Sequence, residues 1–126
     1  MSAFNMKSFH TVLVCREWDA CVSFYRDILG FEAVDSREGF VEVRVHPGAY
    51  IGLIRQKTAE DPGTPDTRII LSFRVEDLDT IHEILRERRI NVTGIQLHPW
   101  GARLFELRDP EGRRLEFWTP NVSEVL

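Results

Sequence analysis

A chain of 126 residues supports one hydrophobic core and is too short for two independent ones. Hydrophobic residues at 43% and charged residues at 29% form an ordinary globular mix and argue against disorder. A formal net charge of -4 offers no general attraction to phosphate backbones or anionic lipid, so neither nucleic acid nor membrane is expected as a partner.

Residues Met1 to Lys7 lack the basic start and apolar stretch of a leader, and no apolar run approaches the roughly 18 residues of a membrane span. The expected location is the cytoplasm. Phe9 to Cys15 is rich in β-branched and apolar residues and predicts a strand. Trp18, Cys21, Val22, Phe24, Tyr25, Ile28 and Leu29 recur at three- and four-residue steps, which predicts an amphipathic helix closed by Gly30. Phe31 to Asp35 and Phe40 to Val45 are expected strands split by SREG. HPGA is a turn, and Tyr50 to Arg55 is a fourth strand. Gln56 to Thr67 has two prolines, a glycine and no apolar periodicity, and is the expected linker. The pattern then restarts. Arg68 to Val75 is strand-like, Asp77 to Arg89 helical, and Asn91 to Leu97 and Arg103 to Arg108 are strands. Asp109 to Gly112 is a turn with Asp, Pro and Gly where a type I turn wants them, and Arg113 to Trp118 is the last strand. Cys15 and Cys21 fall on a strand and a helix and are expected as buried thiols.

The order is βαβββ, linker, βαβββ. Aligning Asp19 with Asp79 puts Leu13 on Phe73 and His10 on Ile70. Aligning the turns puts Pro47 on Pro110 and Gly48 on Gly112, with Glu111 inserted, and Gly52 opposite Glu116. Matched helices and turns in one order mark an internal duplication. One helix per module leaves neither able to bury enough surface alone. The expected fold class is α+β, a single domain of tandem βαβββ modules (about 8–55 and 68–119, linker 56–67) with two sheets around a shared cavity.

FHTVLVCREWDACVSFYRDILGF, RVEDLDTIHEIL and PWGARLFELRDPEGRRLEFW together resemble the vicinal-oxygen-chelate superfamily, the glyoxalase, bleomycin-resistance and dioxygenase family. The resemblance implies a small-molecule site and, in the family's enzymes, a divalent ion held from the first, fourth, fifth and eighth strands. His10 and Glu116 stand at two of those positions, while Gly52 and Ile70 occupy the other two and bring no donor. Two ligands fall short of the three that a catalytic zinc usually takes, so the implied cofactor is at most a weakly held Zn, Ni, Mn, Mg or Fe ion. His10 and Glu116 could be a remnant metal pair, an acid/base pair or a grip on a polar ligand, against the plain reading of a buried histidine satisfied by a carboxylate.

Strand alternation gives a candidate ligand lining of His10, Tyr50, Ile70, Arg74, Glu116 and Trp118. To these are added Trp100, Arg103 and Phe105, and His98 in the loop that the resemblance puts at a cavity mouth. His46 and His82 are expected to face solvent. The leading expectation is a binder that sequesters a hydrophobic or aromatic molecule in the manner of bleomycin-resistance proteins, working as a homodimer. The alternative is a metal-dependent glyoxalase-like lyase, isomerase or dioxygenase. A ferredoxin-like βαββαβ module that binds nucleic acid is the third, opposed by charge and by the extra strand per module.

Overall fold

The computed structural model of the protein describes residues 3–57, 68–99 and 101–121. The linker expected at 56–67 lies outside the described residues from 58 onward, and so does Trp100. The chain divides into two compact units that part between residues 62 and 63. Each is one four-stranded sheet carrying one helix. Eight strands in two sheets are not the six-element βαββαβ module.

Module one runs β1 (Phe9–Cys15), α1 (Trp18–Val22), β2 (Glu32–Arg37), β3 (Phe40–His46) and β4 (Ala49–Arg55). Its strand order is β1-β4-β3-β2, with β1 parallel to β4 and the other pairs antiparallel. The SREG stretch is shorter as a turn than expected. Ser36 and Arg37 stay in β2, and Glu38-Gly39 alone reverses the chain, with Gly39 at φ 79. Pro47-Gly48 makes the next reversal. Proline presets the first corner and Gly48 takes the left-handed second corner at φ 85. The Gly48 carbonyl then accepts a hydrogen bond from the Phe9 N–H, which pins the start of β1. Alternation sends Leu13, Cys15, Val41, Val43, Ile51 and Leu53 to the helix side, where they are buried with Cys21, Val22, Phe24 and Tyr25. Cys15 and Cys21 are buried free thiols. The Trp18 indole N–H donates to the Leu53 carbonyl at 2.9 Å, anchoring α1 to β4.

Module two repeats the plan: β5 (Ile70–Arg74), α2 (Leu78–Glu87), β6 (Gln96–His98), β7 (Ala102–Arg108) and β8 (Arg114–Pro120), in order β5-β8-β7-β6. Asp77 caps α2, its carboxylate accepting from the Thr80 N–H and hydroxyl. β6 is three residues long, not the seven expected, because 91–95 runs beside β7 without a regular ladder. Thr93 alone bridges there, its N–H donating to the Glu106 carbonyl and its hydroxyl accepting from the Glu106 N–H. The Asp109–Gly112 turn closes by the Gly112 N–H to Asp109 carbonyl bond. The buried Asp109 carboxylate also accepts from the Glu111 and Arg113 N–H groups and the Arg113 guanidinium. Its role is the turn.

The two helices differ by one residue. Gly30 lies twelve residues beyond Trp18 and Arg89 eleven beyond Leu78, and both take a left-handed conformation. The extra residue is absorbed as a π-helical stretch, Ser23–Ile28, in which the Leu29 N–H reaches back to the Phe24 carbonyl. Beyond α2, the Ile90 N–H bonds the Leu85 carbonyl and the Arg89 N–H the Arg86 carbonyl, a Schellman closure with Arg89 at the left-handed position. A side chain there is strained where glycine is not. Arg89→Gly should raise stability by about 0.5–1 kcal/mol in urea unfolding, and an unchanged midpoint would show that the strain is relieved elsewhere.

Candidate functional site

The ladders register the two modules residue for residue. In module one, His10 pairs with Tyr50, Val12 with Gly52, and Gly52 with Glu42. In module two, Ile70 pairs with Arg114, Ser72 with Glu116, and Glu116 with Glu106. His10 therefore corresponds to Ile70, Gly52 to Glu116, and Glu42 to Glu106. The face of each sheet away from its helix carries these positions.

On module one that face holds His10, Val12 and Val14 from β1, Tyr50, Gly52 and Ile54 from β4, and Phe40 and Glu42 from β3. The His10 ring stacks on Tyr50 at 4.8 Å between centroids and 15° between planes. Its Nδ1 lies 2.8 Å from Glu42 Oε2, and its Nε2 lies 2.6 Å from Ser8 Oγ. The imidazole is reachable, its side chain 42% exposed. Val12 and Val14 beside it are exposed at 58% and 48%. Within the module, then, the carboxylate that satisfies His10 is Glu42, which the sequence reading did not single out. The available signal was one acid inside the apolar alternation of FVEVRV, across the ladder from a glycine.

On module two the corresponding face holds Ile70, Ser72, Arg74, Arg114, Glu116, Trp118 and Glu106. The Ser72 hydroxyl donates to Glu116 at 2.6 Å, and the Arg114 guanidinium donates to Glu106 at 3.3 Å. The Arg74 guanidinium lies 5.5 Å from the Trp118 ring centroid, a cation–π contact. Expected lining residues Arg74, Glu116 and Trp118 thus share one face. His98 ends β6, half-buried, paired with Ala102.

Arg103 and Phe105 lie away from the face that carries the rest of the expected lining. Phe105 pairs with Phe117 and Arg103 with Thr119, so both lie on the helix side, opposite Glu116. Phe105 is fully buried in a row of rings, 5.6 Å from Phe117 and edge-on to His82 at 4.8 Å. His82, expected to face solvent, is half-buried, and its Nε2 meets the Thr93 carbonyl at 2.8 Å, tying α2 to the segment before β6. His46 is exposed at the end of β3.

Arg103 grips Asp79 of α2 with two hydrogen bonds. Those bonds hold the Asp79 carboxyl below the usual carboxylate range, against a smaller opposing effect of burial. A lowered carboxyl stabilises the fold above its ordinary range, near pH 4, and loses that contribution as pH falls through the lowered value. Arg103→Met should lower the thermal midpoint slightly at pH 6, and the two proteins should converge toward pH 2. Added salt should shrink the gap, since the pair is largely solvated. A gap that persists at pH 2 would assign the effect to packing of the arginine stem.

The donor set can be tested against the divalent ion that family resemblance implies. A Cβ built on Gly52 would stand 3.1 Å and 3.4 Å from two ring carbons of Phe40 and 3.7 Å from Val12. The Phe40 ring fills the place where a fourth-strand ligand would begin. Both His10 nitrogens already meet protein groups. Among the described residues no group of three or more His, Cys, Asp and Glu side chains converges. These residues do not fit a resident metal. If Phe40 is what fills the slot, Gly52→Ala should cost about 1 kcal/mol more in the wild-type background than in Phe40→Ala, the coupling expected of touching side chains. Additive single and double variants would show the slot to be open.

A groove of about 470 Å³ lies on the other side of module one, lined in part by Trp18, Arg26, Arg37 and Glu38. Three of its charged groups are matched locally: Arg26 by Asp27, Arg37 by Asp35, and Glu38 by Arg55, whose guanidinium also sits 4.5 Å from the Trp18 ring.

Comparison with known proteins comes down to one family and one fold. The model of the Glyoxalase/Bleomycin resistance protein/Dioxygenase superfamily matches residues 7–117. A comparison with curated proteins returns no match. Among solved structures, the chain is similar to a glyoxalase/bleomycin resistance protein/dioxygenase from Nocardioides, with 22% identity, 95% of this chain and 86% of that one covered, and a TM-score of 0.76. It is similar to TnmS3, an antibiotic binding protein from Streptomyces sp. CB03234, with 23% identity, 95% and 99% covered, and a TM-score of 0.75. It is also similar to lactoylglutathione lyase from Agrobacterium tumefaciens, with 22% identity, 91% and 94% covered, and a TM-score of 0.72. At these identities the likeness is one of fold.

Proposed function

The chain belongs to the Glyoxalase/Bleomycin resistance protein/Dioxygenase superfamily, and on that premise we propose that it binds a small hydrophobic or aromatic molecule without a resident metal. The observation that carries this reading is the module-one face, where His10 stacked on Tyr50 lies among exposed Val12 and Val14, and Phe40 fills the Gly52 slot. An apolar surface with one convergent polar handle suits a flat organic ligand. Covering a ring of about 150–250 Å² at about 25 cal/mol per Å² offers about 4–6 kcal/mol before ordering costs, enough for capture only with help from the His10–Glu42 pair. Trp118 with Arg74, and Glu116 with Ser72, are the module-two groups assigned to the same function.

The working form is proposed to be a homodimer of single-domain chains in the cytoplasm. Exposed Phe4, Met6, Phe9, Ile69 and Leu97 support association, and the two buried free thiols accord with a reducing compartment. No helix among the described residues is long and apolar enough to cross a membrane.

A thermal-shift screen of aromatic ligands, run with and without Mn²⁺, Ni²⁺ and Zn²⁺, tests the reading. Saturable shifts should appear without metal, and Tyr50→Ala should weaken the best ligand about tenfold, about 1.4 kcal/mol. A stoichiometric ion lost in His10→Ala, with no ligand shift in its absence, would replace this reading by a metal-dependent lyase, isomerase or dioxygenase.

A further inference from the structure

We propose that Ser8, His10 and Glu42 form a nucleophile, a general base and its positioning carboxylate, giving module one an acyl-transfer activity toward activated esters. Ser8 immediately precedes β1, and its hydroxyl lies against the ring of His10 two residues on. Ser8 Oγ stands 2.6 Å from Nε2, and Glu42 Oε2 stands 2.8 Å from Nδ1 on the far side of the same ring. An ionised carboxylate only accepts, so Nδ1 carries a hydrogen, and in the neutral ring Nε2 then presents its lone pair to the serine hydroxyl. Tyr50, stacked at 4.8 Å, fixes the ring plane. A nucleophile within reach of a base that a third group orients is the general pattern of an activated serine. Two of the other histidines meet different partners: His82 a backbone carbonyl at 2.8 Å and His46 the Pro47 carbonyl at 3.4 Å.

The step balances with water alone. Ser8 Oγ attacks the acyl carbon and passes its proton to His10 Nε2. The carbon–oxygen bond of the ester breaks, and the leaving oxygen takes that proton. Water then attacks the acyl-serine through the same base, releasing the carboxylic acid and restoring the hydroxyl. Nothing is oxidised or reduced. The substrate class is esters of acidic alcohols such as phenols, whose oxygen leaves readily. The geometry stands on module one alone and does not rest on the proposed binding function.

The probe is p-nitrophenyl acetate with the full chain, read by nitrophenolate release and by mass mapping of the acetyl group. Acetylation should map to Ser8, and Ser8→Ala and His10→Ala should each lower the rate by about 10²-fold, the low end of general-base contributions. Ser8→Cys should retain acylation as a thioester. Glu42→Gln should lower the maximal rate about tenfold with the saturation constant unchanged, and Glu42→Asp should recover part of it, as expected of a positioning residue. His46→Ala should change nothing. Acetyl on His10 or on lysine, or full release by Ser8→Ala, would overturn the relay. Ligand shifts that persist in Ser8→Ala would then leave the binding function standing, so the two can fail separately.

Discussion

Each module depends on a parallel ladder between its first and last strands. The chain enters along β1, crosses by its helix, runs up and down a meander, and returns as β4 beside the strand it began with. This closure makes residues some forty positions apart immediate neighbours, as with His10 and Tyr50. It also seats the helix, because the apolar residues of β1 and β4 on that side, Leu13, Cys15, Ile51 and Leu53, form the floor on which α1 packs. The opposite side of the same pairs is left to polar and exposed groups. Core and candidate site are therefore two faces of one ladder, and a one-residue slip would exchange them.

The duplicated ladder carries different chemistry in its two copies. Position by position, module one offers a histidine, a glycine and a glutamate where module two offers an isoleucine and two glutamates. The neighbours then decide what each acid does. Glu116 accepts from the Ser72 hydroxyl and Glu106 from the Arg114 guanidinium, so module two's pair of carboxylates is met by donors on its own sheet. Glu42 has the glycine across from it and turns toward the imidazole. The missing side chain at Gly52 matters twice: it admits the Phe40 ring, and it removes the rival for His10.

The fold was legible because its signals are local and repeated. Leu13 falls on Phe73, which the ladders register as equivalents, and Pro47 and Pro110 each fall in the turn before their module's last strand. The site was legible in part. His10 and Tyr50 follow from alternation on paired strands. Glu42 was hidden because strand parity says which face a residue takes, not which strand lies beside it. Alternation was not what placed Arg103 and Phe105 in the expected lining. Their face is fixed by pairing with Thr119 and Phe117, which no pattern within β7 reveals. The π-helical stretch was hidden differently: one added residue leaves three- and four-residue spacing almost intact while changing the hydrogen-bond partner.

The state of the imidazole joins these points. A metal ion needs a ring lone pair directed at it, with the other nitrogen held by an outer partner. Here Glu42 supplies such an outer partner at Nδ1, but Nε2 is already taken up by a serine hydroxyl. An arriving ion must displace Ser8, forfeiting a hydrogen bond worth about 0.5–1.5 kcal/mol, and must find its remaining ligands on a face where the fourth-strand slot holds a phenyl ring. A proton needs none of this. It passes between Ser8 and a ring that Glu42 orients, and Tyr50 keeps that ring in plane. The same substitutions that empty a chelating site thus leave a histidine arranged for proton transfer, and the change of chemistry follows from where one carboxylate sits across one ladder.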